Sequence, residues 1–103
     1  MYKPENWVIV KINDVYKVFG GWRGGFATGD SWKLNSGIES IEENEDLIDI
    51  KGYSGSIYRV HRNTYGIYGS YLNGVLDNFK DQAEKAGIVF KVFDSYDDHR
   101  KEH

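Results

Sequence analysis

The chain has 103 residues, enough for one domain with a single core. The lack of cysteine excludes disulfides, thiol nucleophiles and Cys-based metal sites, and a net charge of -3 argues against a general nucleic-acid binder. The longest apolar run, Trp7 to Val10, is far too short to span a membrane, and Met1–Asn6 has no charged-then-apolar leader pattern, so a cytoplasmic protein is expected.

Two apolar runs, Trp7–Ile12 and Val15–Phe19, flank Asn13-Asp14, the signature of a hairpin. Pairing Ile12 with Val15 puts Val8, Val10, Ile12, Val15 and Phe19 on one face and Trp7, Ile9, Tyr16 and Val18 on the other. Both faces are apolar, so the hairpin must be covered on both sides: a helix on one, a curled sheet or a second subunit on the other. The second possibility makes a homodimer a candidate assembly.

The stretch from Gly20 to Trp32 holds five glycines, two tryptophans, a phenylalanine and an arginine. It reads as a wide, glycine-hinged loop. Walker A loops and dinucleotide fingerprints both fail here, because no lysine follows Gly29 and a strand rather than a helix comes next. Trp22 and Trp32 then either plug the end of the sheet or, with Arg23 and Phe26, form a recognition surface of the kind these residue types make at binding hot spots.

Short strands continue at Ser31–Asn35, Ile38–Glu42, Leu47–Lys51 and Ile57–Arg62, with a kink at Ser36-Gly37 and an acidic, solvated turn over Glu43–Asp46. Charge alternates along the chain: residues 36–57 carry six acids against Lys51 alone, whereas the flanking segments are each net positive. Arg59, His61 and Arg62 concentrate positive charge. They either pair with acids of the neighbouring strand, such as Asp49, or join Tyr65 and Arg23 in an anion or base-stacking site.

After a second glycine-aromatic loop, Asn63–Gly69, apolar residues recur at helical spacing from Leu72 to Ala86. A helix over about 70–86 is predicted, with Ser70 as its N-cap and Gly87 as its stop. Ile88–Phe93 is a final strand, and residues 94–103 read as a polar, mobile tail. The whole is a single α+β domain over residues 1–93: an antiparallel meander of five to six strands, free to curl into a partial barrel, with one C-terminal helix.

Catalytic and metal chemistry find little support. Ser31, His61 and Asp30 can be drawn as a triad, but without a nucleophile-elbow pattern. His99 and His103 stand at i,i+4 beside Asp97 and Asp98, a metal-binding spacing only if the tail is helical. No cofactor, metal site or enzyme activity is expected.

The segments Gly21–Phe26, Gly29–Ile38 and Gly52–His61 resemble a family of small bacteriophage-encoded proteins, a likeness that spans about residues 6–93. The resemblance implies an accessory protein in the cytoplasm of an infected bacterium that binds a host or defence protein. It supplies no catalytic residues. The leading expectation is therefore a non-enzymatic binding module that uses Trp22, Arg23, Phe26 and Trp32, with Tyr65 and Tyr68 nearby. The alternative is a nucleotide-like anion or nucleic-acid binder that uses Arg59, His61, Arg62 and Arg23.

Overall fold

The first hairpin forms as the pattern requires. Strands β1 (Asn6–Ile12) and β2 (Val15–Trp22) pair antiparallel, with Ile12 opposite Val15. Asn13 takes the left-handed φ of 52° that the tight turn needs, a conformation asparagine tolerates well. In the computed structural model, residues 1–24 and 30–103 are described.

The strand β3 (Ser31–Leu34) joins β2, and β7 (Phe90–Val92) joins β1, giving a four-stranded sheet in the order β3-β2-β1-β7. At Gly37 the chain turns with a φ of 133° and leaves this sheet. Strands β4 (Ile38–Asn44), β5 (Leu47–Gly52) and β6 (Ile57–His61) then form a separate antiparallel meander. The fold is α+β with antiparallel strands and a C-terminal helix, as expected; among the described residues the seven strands divide between two sheets that do not close into a barrel.

Helix α1 (Ser70–Ala86) covers one face of the first hairpin, where Leu72 and Leu76 pack on Val8, Val10 and Phe19. The opposite face, carrying Trp7, Ile9 and Val18, packs on Ile48, Ile50, Tyr58 and Val60 of the second sheet. Both hairpin faces are thus buried within one chain. This helix–sheet–sheet layering explains why the hairpin is apolar on both sides.

Three local expectations are corrected. Gly20 and Gly21 belong to strand β2 rather than to a loop, and both are buried. A Cβ on Gly21 would lie 2.6 Å from both Asn6 Oδ1 and Leu72 Cδ1, so glycine is what lets α1 approach the sheet. The N-cap of α1 is Gly69, at a φ of 90° that suits glycine, with Ser70 as the first helical residue. Gly87 ends the helix in the left-handed region, as predicted.

The third correction concerns residues 94–103. They are not a mobile tail: Tyr96–Glu102 form helix α2, capped by the Ser95 hydroxyl, which accepts from the Asp98 N–H. Tyr96 and His99 are buried beside Phe93 and Tyr16. A polar composition concealed this, because two apolar-bodied rings one turn apart suffice to dock so short a helix.

Candidate functional site

The two tryptophans leave the sheet on opposite faces, and both line one groove at its β3 edge. Cross-strand partners Gly21 and Trp32 share a face, as do Trp22 and Ser31, so Trp22 and Trp32 project to opposite sides of the sheet. Trp32 faces α1, stacked on Phe19 at 5.5 Å and edge-on to Phe79 at 5.3 Å. It plugs the helix side of the sheet. Trp22 faces the other way, half-buried, and its indole N–H donates to the Lys3 carbonyl at 3.0 Å.

Around Trp22 a different cluster assembles. Tyr2 meets Trp22 edge-on at 6.4 Å, leans on Tyr58 at 5.2 Å, and is covered by the Lys33 ammonium 4.9 Å from its ring centre. The N-terminal segment is held there by the edge of β6: the Tyr2 N–H donates to the Ile57 carbonyl and the Arg59 N–H donates to the Tyr2 carbonyl. Arg23 is exposed beside the cluster, with its backbone N–H donating to the Glu5 carboxylate. Phe26 lies outside the described residues.

Two adjoining grooves open at this end of the molecule, with volumes of 470 and 450 Å³, and share Tyr2 and Lys33. They bring β3, a free edge of the first sheet, together with the N-terminal segment and, in the first groove, with the turn between β5 and β6. Lys17, Asn35, Ser36, Ser54 and Ser56 line one; Lys3, Trp22 and Ser31 line the other. Among the described residues no carboxylate lines either groove, although the chain carries 16 acidic residues. Among the described residues Lys3, Lys17 and Lys33, like Arg23, Lys51, Lys80 and Lys85 elsewhere, lie within ion-pair distance of no acid, whereas Lys11, Lys91, Lys101, Arg59, Arg62 and Arg100 all do. Asn35 sits in the groove wall, 5% exposed. Its Oδ1 accepts from the Val18 N–H at 2.9 Å, and its side-chain NH2 has no hydrogen-bond partner.

Of the three cationic residues expected together, Arg59 and Arg62 are engaged by carboxylates. Arg59 forks onto Asp49 directly across the β5–β6 ladder, at 2.8 and 2.9 Å, and holds that carboxyl below its ordinary range. Arg62 binds Glu43, whose carboxyl is likewise held down, first by that guanidinium. His61 is exposed, and its backbone carbonyl accepts from the Trp7 indole N–H at 2.8 Å. Tyr65 is structural: its hydroxyl accepts from the Ile9 N–H at 3.0 Å and donates to the Phe93 carbonyl at 2.6 Å, and burial pushes it up to about 12. These residues do not gather around an anion site with Arg23.

The α2 region holds the remaining titratable cluster. His99 is fully buried, and burial depresses it to about 4; its Nε2 lies 2.7 Å from His103 Nδ1. Glu102 accepts from Lys11 at 2.8 Å and from Lys91 at 3.4 Å and is held down to about 2, chiefly by the Lys11 hydrogen bond. Among the described residues no group of three or more His, Cys, Asp or Glu is placed to hold a metal ion. No described helix is long and apolar enough to cross a membrane.

Sequence reasoning missed the groove because its parts lie far apart in the chain. Tyr2 and Lys3 precede the first predicted strand, and Lys33 lies in a short one far along the chain. Comparison with known proteins adds nothing to this picture: no family model, curated protein or solved structure matches the chain.

Proposed function

We propose that this protein is a non-enzymatic binding module whose contact surface is the Trp22–Tyr2–Lys33 groove at the β3 edge. The supporting observation is a carboxylate-free, lysine-lined groove with half-buried aromatic walls in a protein that is acidic overall. Aromatic residues with partial exposure contribute contact area at low entropic cost, and unpaired cations steer an anionic partner. This keeps Trp22 and Arg23 from the expected surface, leaves Trp32 both packed on Phe19 and in the groove wall, and moves Tyr65, Arg59 and Arg62 into structural roles. The resemblance to phage-encoded proteins would make the partner a host or defence protein.

Affinity capture from a bacterial lysate tests the proposal, comparing the native chain with Lys33→Glu and with Arg59→Ala. A captured protein that is retained by Arg59→Ala and lost by a folded Lys33→Glu supports it. Equal retention by both, or loss by Arg59→Ala alone, overturns it. A second reading, binding of a nucleotide-like anion or a single strand, is favoured by the same lysines beside Tyr2 and Trp22. Salt-dependent binding of oligothymidine, abolished in Lys33→Glu, would carry that reading.

A further inference from the structure

Strand β3 has one paired side and one open side. The Asn35 N–H donates to the Val18 carbonyl at 3.0 Å, which fixes position 35 toward β2. Backbone direction alternates with period two, so Lys33 also turns its N–H and C=O toward β2, and Trp32 and Leu34 turn theirs outward. Among the described residues no hydrogen bond satisfies the outward groups of Trp32 and Leu34. The outer side of β7 also carries no hydrogen bond among the described residues, but the remaining two edges are treated differently. The β6 edge is engaged by Tyr2, and β4 is guarded by Glu39, Glu42 and Glu43.

Resting on the groove reading above, we infer that β3 takes up an extended acidic segment of a partner protein as an added antiparallel or parallel strand. Main-chain bonds to Trp32 and Leu34 would supply the docking, and the groove would supply selectivity. An added strand presents its side chains alternately to the two faces. One set meets Lys33, Lys3, Tyr2 and Trp22, and suits carboxylates. The other set lies beside the half-buried edges of Trp32 and Leu34, and suits branched apolar residues. The chemistry is thus an alternating acidic–apolar strand. A second copy of this chain fits poorly, because pairing β3 with β3 would bring Lys33 of two molecules close together without a neutralising acid.

The test is a titration of the ¹⁵N-labelled full chain with a short peptide of alternating glutamate and valine. Three comparison ligands go with it: the alternating lysine–valine peptide, the glutamate–valine peptide N-methylated at every second residue, and oligothymidine. The expected result is a shift of the Trp32 and Leu34 amide signals with slowed exchange of both, by the acidic peptide alone. Lys3→Glu with Lys33→Glu, two exposed positions, should weaken that binding roughly tenfold. Equal binding of the N-methylated peptide overturns strand addition while leaving the groove as a contact surface. Equal binding of the lysine peptide overturns the acidic preference. A response to oligothymidine only, or to no ligand, overturns both the strand addition and the protein-binding reading. Concentration-dependent shifts of the same amides without any peptide would show β3 pairing between copies and also overturn the inference.

Discussion

Acidification from pH 7 to pH 5 should loosen α2 through His99. The ring is fully buried among Tyr16, Phe93 and Tyr96, and the charged groups facing it are His103, Arg100, Glu102 and Glu43. Burial, and then His103 and Arg100, depress it from 6.5 to about 4. A depressed histidine is neutral in the folded state while the unfolded chain already binds the proton. Its stabilising contribution is therefore complete above pH 6.5 and is lost as pH falls toward 4. The shift corresponds to about 2 kcal/mol or less between pH 7 and pH 5. Glu43 and Asp49, held below their ordinary values by Arg62 and Arg59, act only at lower pH, so the window isolates the histidines.

Urea unfolding followed by tryptophan fluorescence at pH 7 and pH 5 measures the effect, with His99→Leu as the control. The native midpoint should fall by about 1 M urea, and His99→Leu should remove most of that fall. His103 is displaced in the same direction, first by burial, so His103→Asn should remove the smaller remainder. An unchanged native midpoint, or the same fall in His99→Leu, would refute the reasoning.

Other perturbations follow from single contacts. Gly74 lies exposed inside α1 with nothing within 4 Å of an added Cβ, so Gly74→Ala should stabilise by about 1 kcal/mol and raise the Tm by roughly 5 °C in calorimetry. Tyr65→Phe leaves the Ile9 N–H and the Phe93 carbonyl without their shared partner, and should cost about 1–3 kcal/mol by urea unfolding. Gly21→Ala forces a Cβ against Asn6 and Leu72 and should lower the Tm more than any exposed substitution on α1. Arg59→Ala removes a surface pair and should leave the unfolding midpoint nearly unchanged.

Local pattern was enough to place most elements. Period-two alternation located the strands, and the Asn13-Asp14 turn set the first hairpin's register, because a two-residue loop leaves only one pairing. The doubly apolar hairpin required cover on both faces, and helical spacing between Leu72 and Ala86 identified one of the two covers. The Asp49–Arg59 pair was legible for a similar reason, since strands joined by a short turn bring predictable residues opposite each other.

What tertiary structure alone decided were relations between segments with no local link. The break at Gly37, whose carbonyl accepts from the Tyr53 N–H, sends β4 into a second sheet. The docking of α2 depends on a pocket built by Tyr16 and Phe93, far away in sequence from one another. Trp22 and Trp32 looked like one site because they share a loop. The pleat sends adjacent positions to opposite faces, and so Trp32 packs on Phe19 and Phe79 on the helix side while Trp22 joins Tyr2 and Lys33 at the groove. Residue type marked both tryptophans as contact-making; only the register of β2 against β3 determined what each one contacts.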